Sequence, residues 1–294
     1  MALMTTSSAP TVFDPAMSEV FLDGAIRLAE VDYFRWMRTL PSTSKTIEKT
    51  AINPPGAYSA HVEGNDYSYA AVVEGNKKTY TLARVALAAQ MSADAALFVD
   101  RVAQLEFVRQ IGASAFRKLN LDGYGVLSGG FTDTGPDGQA LFAAAHGAVV
   151  GGTQSNKGSG ALNEANLQAA LTVMRRTKTP DNILAGVVPR FLIVPPDLEY
   201  TAGELVRSAL SGADMQLNLL STKGLEVLVS PELTDTTDWF LLDPDGFRAR
   251  MYVALGSSPK QWIDTDSDNW RVKDAMVYAV GYDAWRGSFG ASVA

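Results

Sequence analysis

The residues of this sequence best suited to acid–base chemistry are its two histidines, and both lack the neighbours that catalysis requires. The chain of 294 residues contains His61 and His146 but no cysteine. A thiol nucleophile, a disulfide framework, a zinc finger and a Cys-ligated iron–sulfur cluster are therefore excluded. Neither histidine has an evident nucleophile nearby in sequence, so a structural histidine is favoured over a general base at both positions.

Two glycine-rich segments resemble nucleotide-binding loops but lack the residues that would complete them. Gly123-Tyr124-Gly125 begins like a dinucleotide fingerprint, yet Ser128 occupies the third glycine position, and the segment follows a predicted helix rather than a strand. The run 151–160 contains Lys157 without the Gly-Lys-Ser/Thr spacing of a phosphate loop. We interpret both segments as connecting loops, and no cofactor is predicted.

The acidic run Asp264–Asp268 alternates carboxylates in the manner of a calcium-binding loop. Asn269 stands where such a loop needs a glycine for its sharp turn, and Ala275 stands where the closing bidentate glutamate would be. A solvated acidic turn is favoured over weak cation binding, and no metal site is predicted.

Composition and charge exclude further classes of protein. Hydrophobic residues make up 47% of the chain, which is enough for a large core, and the net charge is −7 with an isoelectric point near 4.9. An acidic chain without a basic block disfavours tight DNA binding through a basic face. No apolar run approaches the roughly 20 residues that cross a bilayer, and the first residues lack the pattern of a secretory signal. We expect a soluble, unsecreted protein that does not enter a membrane.

The first third of the chain is typical of extended structure rather than of a compact domain. Residues 1–42 are predicted to form an N-terminal arm, and residues 43–87 a long two-stranded hairpin with turns at Asn53–Gly56 and Glu74–Lys78. Because an isolated hairpin is barely stable in water, the length of this one suggests that it docks on another subunit. Lys77 and Lys78 are interpreted as a solvated turn tip or, alternatively, as an inter-subunit contact. The candidates for contact between subunits are Tyr67, Tyr69, Lys77, Lys78 and Tyr80.

One long amphipathic helix is predicted over residues 93–119. Ser92 suits its N-cap and Asp94 its first turn, while Asn120 and Gly123 are interpreted as its end. At 1.5 Å per residue this helix spans roughly 40 Å, which suits the spine of an elongated protomer. Its apolar stripe consists of Phe98, Val102, Leu105, Val108, Ile111, Ala115 and Leu119.

The remainder of the chain mixes helices and strands without βαβ regularity, which predicts an α+β fold. Asn163 is predicted to cap one helix, and Asp197 to cap a second that ends at Gly212. The predicted strands are Phe191–Val194, Leu225–Val229, Trp239–Leu242, Arg250–Leu255 and Met276–Tyr282.

Several runs in the second half resemble one known family in their order and spacing. The run Pro136–Phe142, followed by His146 and Ser155–Lys157, is similar to a stretch of the Mu-like prophage major head subunit family. In that family an Asp-Gly-Gln-x-x-Phe run precedes a histidine and an asparagine-containing loop. The resemblance continues through residues 162–174, 189–202, 227–233, 239–242 and 280–285.

The resemblance implies the HK-ninety-seven (Johnson) fold of tailed-phage major capsid proteins, which is an α+β fold with an N-terminal arm, an E-loop hairpin, a peripheral domain and an axial domain. The order of the predicted elements agrees with it. The implied boundaries are 1–42 for the arm, 43–87 for the E-loop, 88–133 with 255–294 for the peripheral domain, and 134–254 for the axial domain.

The implied function is that of a major capsid protein without enzymatic activity. One chain would form pentamers and hexamers and then an icosahedral shell around double-stranded DNA, which it would enclose without sequence-specific binding. The expected partners are further copies of the chain, a separate scaffold, a portal and, in some relatives, decoration proteins. The expected location is the virion, after assembly in the cytoplasm of a bacterial host.

Three other interpretations stay open at this point. An encapsulin-like compartment shares the implied fold but holds cargo instead of a genome. A soluble α/β enzyme acting on a small molecule would be a compact monomer with a deep polar pocket, and the scarcity of histidine and the lack of cysteine argue against it. A tail or decoration protein would lack the spine and the hairpin.

Overall fold

The structure is a computed structural model that describes residues 20, 31–52, 60–61, 63–64, 66–67, 69, 74–98, 101–149, 152–180, 182–208, 210–211, 216–217 and 219–293. Most of the predicted N-terminal arm and the predicted turn Asn53–Gly56 lie outside these described residues. The helices are α1 (Ala93–Phe98), α2 (Arg101–Ser128), α3 (Glu164–Arg175), α4 (Glu199–Arg207) and α5 (Pro244–Phe247).

The described residues form sixteen strands besides these helices, so the chain has the mixed α+β character that the sequence predicts. In chain order they are β1 (Arg38–Pro41), β2 (Thr46–Ile52), β3 (Glu74–Thr81), β4 (Ala83–Met91), β5 (His146–Val149), β6 (Gly152–Gln154), β7 (Lys157–Gly158), β8 (Phe191–Val194), β9 (Leu210–Ser211), β10 (Gln216–Leu217), β11 (Glu226–Val229), β12 (Trp239–Leu242), β13 (Ala249–Leu255), β14 (Lys260–Ile263), β15 (Trp270–Tyr282) and β16 (Ser288–Ala291).

The chain divides into two compact units. Unit 1 comprises residues 1–47, 80–123 and 250–281, and unit 2 comprises residues 48–79, 124–249 and 282–294. The sequence-based boundaries placed residues 255–294 together in the peripheral domain. Strand β16 instead pairs with β12 and β7, so residues 282–294 belong to unit 2.

The sheet of unit 1 is built around β15. This strand of 13 residues pairs with both β13 and β14, and β1 continues the sheet beyond β13. Strand β4 pairs antiparallel with the opposite edge of β15, from Ala83 beside Tyr278 to Met91 beside Trp270. Alternate residues of β15 are buried, which is the two-residue period of a sheet with one covered face.

Helix α2 packs on this sheet through Val108 and Ile111, which contact Val272 of β15. The predicted helix was placed at residues 93–119, but α2 runs on to Ser128, and the predicted end was wrong.

The residues that suggested a helix end serve tertiary contacts instead. The Asn120 side chain is buried, and its Oδ1 accepts hydrogen bonds from the backbone N–H groups of Asp32 and Tyr33, both at 3.3 Å. A side chain at Gly123 would begin 3.0 Å from Tyr33 Cβ, so glycine there permits the close approach of the segment around Tyr33.

The sheet of unit 2 has the strand order β11–β8–β12–β16–β7. Strands β8 and β12 occupy the predicted residues, because each is a continuous apolar run that the sheet buries. Strand β11 lies within the predicted range as well. Helices α3 and α4 cover this sheet with the buried residues Leu167, Ala170, Leu171, Met174, Ala202 and Val206.

The two predicted caps have different outcomes. Asn163 caps α3, since its side chain accepts a hydrogen bond of 2.9 Å from the N–H of Asn166. Asp197 lies instead within a short 3-10 helix, Pro196–Leu198, and α4 begins at Glu199 without a side-chain cap. The proline pair before Asp197 favours this tighter turn. Helix α4 ends at Arg207, and the predicted stop at Gly212 lies outside the described residues.

The role of Asn120 generates a prediction. Replacing Asn120→Ala removes the acceptor of two buried backbone N–H groups, so we expect the free energy of unfolding to fall by about 1–3 kcal/mol. Urea unfolding followed by tryptophan fluorescence measures this loss. Ser114→Ala, at an exposed position of the same helix, is the matched control and should change the free energy by less than about 0.5 kcal/mol. Equal effects of the two variants would contradict the assigned role.

Candidate functional site

The side chain of Asn156 joins three segments of unit 2 inside the protein. It is 2% exposed, and its Oδ1 accepts hydrogen bonds from the Ala143 N–H at 3.0 Å and from His146 Nε2 at 2.8 Å. Its Nδ2 donates to the carbonyl oxygens of Leu141 at 2.8 Å and of Ser288 at 3.2 Å. The amide therefore ties the loop that precedes His146 to strand β16.

This arrangement fixes the hydrogen-bonding roles of the His146 ring. Because the Asn156 nitrogen faces carbonyl oxygens, the Asn156 oxygen must face the ring, and Nε2 must donate to it. The other ring nitrogen, Nδ1, lies 2.7 Å from Asp137 Oδ2. Burial opposes ionisation of Asp137, but its hydrogen bond to His146 and the charge of that ring outweigh it, so the pKa of Asp137 lies below its ordinary value. The Asp137 carboxyl and the Asn156 amide thus hold the ring from both of its nitrogens.

Trp285 extends this cluster through ring stacking. The His146 and Trp285 ring centroids are 3.9 Å apart with planes inclined by 9°, and the Arg286 guanidinium lies 4.9 Å from the Trp285 ring. Arg286 Nε in turn donates to the Lys178 carbonyl oxygen at 2.9 Å, and the Gln154 amide accepts from the Lys178 N–H at 2.6 Å. One continuous network thus links residues 137–156 with residues 178 and 285–288.

Phe142 closes the same region with its apolar ring. The ring lies against Gly130 and Gly290, and a side chain at either glycine would begin less than 3.0 Å from it. It also packs against Phe240 of β12, with centroids 5.3 Å apart. The two glycines are therefore required by close packing.

The geometry makes the cluster an internal support and not a reaction centre. The side chain of His146 is fully buried, and both of its ring nitrogens are engaged by Asp137 and Asn156. Neither nitrogen can take a proton from a substrate without breaking the support. This agrees with the expectation of a structural histidine at position 146. Ring stacking of His61 on Tyr67, with centroids 4.3 Å apart, gives the other histidine a packing contact as well.

Strands β2 and β3 pair into a two-stranded ribbon, as the predicted hairpin requires. The predicted turn at Glu74–Lys78 was wrong, because these residues form the first part of β3. Lys77 makes an ion pair of 2.5 Å with Glu48 on the facing strand, and more than half of each side chain is exposed. The Lys78 ammonium group lies 5.5 Å from the centroid of the Tyr282 ring. Cross-strand pairing explains why two lysines fit a strand that the sequence pattern assigned to a turn.

The predicted contact tyrosines occupy different environments. Tyr67 is 72% exposed and Tyr69 is 96% exposed, whereas Tyr80 is only 3% exposed. Tyr80 packs in unit 1 against Leu82 and Tyr252, so its ring is unavailable to another subunit. We therefore retain Tyr67, Tyr69, Lys77 and Lys78 as candidates.

The motifs that resembled ligand loops have local roles. Gly123–Gly125 lies inside α2. Lys157 belongs to β7, with its ammonium group 5.5 Å from the Phe131 ring centroid. In the acidic run, Asp264 pairs with Arg271 at 3.0 Å and accepts from the Ser267 hydroxyl.

Within the described part of the chain, no group of three or more His, Cys, Asp or Glu residues is arranged to hold a metal ion. No described helix combines the length and the apolar character needed to cross a bilayer.

Comparison with known proteins gives the family of the chain. The model of the family described as "Phage capsid protein" matches residues 75–289, and the chain belongs to this family. It is a major capsid protein, a structural component of the virion capsid. The more specific resemblance to the Mu-like prophage major head subunit family stays a prediction.

Solved structures share the fold at low sequence identity. The mature capsid of bacteriophage PhiM1 has a TM-score of 0.60 and 14% identity, over 89% of this chain and 86% of that one. The capsid of an empty GTA particle has a TM-score of 0.60 and 11% identity, over 100% and 95%. A virus-like particle from Pyrococcus furiosus has a TM-score of 0.57 and 9% identity, over 94% and 98%. These similarities confirm the HK-ninety-seven type of fold. No curated protein has a significant sequence match to the chain.

Sequence reasoning identified Asp137, His146 and Asn156 only as parts of a family pattern. Their spacing does not show that one side chain binds the other two. Trp285 was also part of the resemblance, whereas Ser288 lies outside it. The contacts of both with the cluster join residues more than a hundred positions apart, as in the pair Asn156–Ser288. The order Asp, His and Asn within 20 residues was the available signal.

The position of Asn156 leads to a stability prediction. Asn156→Ala leaves the Ala143 N–H, the His146 Nε2–H and the Leu141 carbonyl unpaired inside the protein, so we expect a loss of about 3 kcal/mol or more. Chemical denaturation of the purified chain measures it. Gln168→Ala, an exposed amide on α3, serves as the control and should cost less than about 0.5 kcal/mol. A small loss at Asn156 would show that the amide is dispensable.

The lowered pKa of Asp137 leads to a second prediction, about acid. A carboxyl whose pKa is lower in the folded state stabilises that state above its unfolded pKa, here the ordinary value of 3.8, and the stabilisation is lost as pH falls through the folded pKa. The free energy of unfolding should therefore fall more steeply below about pH 4 in the native chain than in Asp137→Asn. Asp245→Asn, at an exposed ion pair, should keep the native slope. Identical slopes for the native chain and Asp137→Asn would refute this linkage.

Proposed function

We propose that the chain assembles with copies of itself into pentamers and hexamers, which close into an icosahedral shell around double-stranded DNA. The observation that carries the proposal is the exposed ribbon of β2 and β3 in a chain of the phage capsid family. A two-stranded ribbon is marginally stable alone, so it gains stability by lying on a neighbour. Contacts of this head-to-tail kind generate rings when the rotation closes.

Tyr67 and Tyr69 are the proposed anchors of this contact. A tyrosine that is 96% exposed leaves a large aromatic surface in water, and Tyr67 adds a second ring two residues away. Aromatic side chains of this kind often dominate the energy of protein interfaces. Lys77 and Lys78 provide positive charge on β3, which suits contact with a protein whose net charge is −7.

The net charge also bears on the proposed contents of the shell. An acidic inner wall has little non-specific affinity for DNA, so the genome could move during packaging and release. We propose that the chain has no enzymatic activity, that a separate scaffold and a portal join its assembly, and that decoration proteins are optional. Assembly would take place in the cytoplasm of a bacterial host.

An encapsulin-like compartment is the second candidate, because the virus-like particle from Pyrococcus furiosus shares the fold. The two differ in what the shell holds. Particles purified from cells that express the phage genes should contain nuclease-protected double-stranded DNA if the chain builds a phage head, and a protein cargo if it builds a compartment.

Assembly itself is tested by light scattering and negative-stain microscopy of the purified chain, alone and with its candidate scaffold. We expect closed shells, or free pentamers and hexamers. A compact monomer at every concentration, with and without scaffold, would refute the proposed function.

The ribbon generates the mutational prediction. Tyr67→Ser combined with Tyr69→Ser should leave the free energy of unfolding within about 0.5 kcal/mol of native, since both side chains are exposed, but should lower the yield of shells at least tenfold, an expected loss of about 1.4 kcal/mol or more per contact. Sedimentation quantifies the yield. Tyr200→Ser, which removes a tyrosine 89% exposed on α4, is the matched control and should assemble as the native chain does. Normal assembly of the double variant would remove these residues from the interface.

A further inference from the structure

Strand β4 presents an unusual edge to solvent. It is nine residues long and pairs with β15 without a break in register, so it contains no bulge. Among the described residues, β15 is its only partner strand, and the main-chain groups along the other edge of β4 face no described strand. Alternate N–H and C=O groups of such an edge are available to another strand.

The side chains of β4 do not cover this edge either. Six of the nine residues are exposed and the other three are half-buried, so no residue of the strand is buried. Leu87, at its centre, is 47% exposed although its neighbour on β15, Asp274, is 3% exposed. The face of the unit 1 sheet that is buried along β15 is therefore exposed at β4.

Other edge strands of this protein are guarded in the ways that natural sheets use, which are shortness, charge and proline. Strands β11 and β7 have four and two residues, and each begins with a charged residue. Strand β1 has four residues and ends in Pro41. The ribbon strands β2 and β3 are longer but carry Glu48, Lys49, Lys77 and Lys78.

Strand β4 is neither short nor interrupted by proline, and it carries a single charge over nine residues. Its sequence is Ala-Arg-Val-Ala-Leu-Ala-Ala-Gln-Met, in which Arg84 is the only charged residue. A long, regular and apolar edge is a template for strand addition and would aggregate if it stayed open at high concentration. Because a protein that assembles in many copies has this edge on β4, we expect a defined partner to cover the edge.

We propose that a strand of a second copy of this chain adds to the outer edge of β4 by main-chain hydrogen bonding in the assembled shell. The inference rests on the proposed function, because only assembly brings a second copy to this edge. Charge favours this occupant: a second copy carries a net charge of −7, and β4 offers a single positive charge, Arg84, with no acidic residue. Strand addition supplies main-chain bonds for affinity and side-chain alternation for register.

Amide hydrogen exchange of the native full-length chain tests the proposal. Peptides that cover residues 83–91 are compared between unassembled protomers and assembled shells, and a peptide that covers β11 provides the internal control. In protomers the outward amides of β4 should exchange rapidly. In shells about half of the β4 amides should slow at least tenfold, whereas β11 should not change.

Each outcome of this experiment has a distinct meaning. If shells form and the exchange of β4 stays unchanged, the proposed strand addition is overturned while the proposed function stands. If β4 is already protected in protomers, the same chain covers its own edge, and the proposal is overturned as well. If no shells form under any condition, the proposed function itself fails.

A substitution that guards the edge provides an independent test. Ala86→Lys combined with Ala88→Lys places charge at two exposed positions of β4, so the protomer should keep its native free energy of unfolding. We expect the yield of shells to fall at least tenfold. Ala169→Lys, at an exposed alanine of α3, should assemble as the native chain does. Assembly of the double-lysine variant at the native yield would overturn the proposal.

Discussion

The structure of unit 2 depends on the requirement that polar groups removed from water find partners inside the protein. Asn156 meets this requirement for a loop, a histidine and a strand at once, because an amide has both an acceptor and a donor in one rigid plane. A hydroxyl or a carboxylate could not satisfy the same set. The consequence is a cluster in which each partner holds the next, from Asp137 through His146 to Trp285. Such a fully satisfied polar network specifies one arrangement of the segments around it.

How much of the fold can be predicted from sequence depends on how local the cause of each element is. Strands β8 and β12 were predicted at their actual residues, because Phe191–Val194 and Trp239–Leu242 are apolar runs that only a buried strand explains. The cap of α3 at Asn163 was equally local. The end of α2 was not, since Asn120 and Gly123 are typical of a helix end but here face the segment around Tyr33. The prediction of a turn at Lys77 and Lys78 failed for a similar reason, because their partners are distant in sequence. Lys77 pairs with Glu48 on the facing strand, and Lys78 lies over the ring of Tyr282.

In the candidate site, too, features with a local cause could be predicted from the sequence, and contacts between distant residues could not. Family resemblance identified the motif residues and the class of protein, but no local pattern indicates that Asn156 contacts Ser288 or that Trp285 stacks on His146. Among the contact candidates, Tyr67 and Tyr69 are exposed. Tyr80 belongs to the same part of the sequence but is buried, since its ring packs against Tyr252 of the distant strand β13. Exposure is a property of the whole fold and cannot be read from a tyrosine and its immediate neighbours.

The place of β16 in its sheet has a consequence for the timing of folding during synthesis. This strand lies between β12 and β7, so the sheet of unit 2 cannot close before residues 288–291 have left the ribosome. The residues of β2 and β3 are synthesised much earlier, before the sheet of unit 2 can be completed. A nascent chain that still lacks residues 288–291 therefore offers an incomplete surface to its neighbours. Synthesis of β16 in this way delays the moment at which the chain can join a shell.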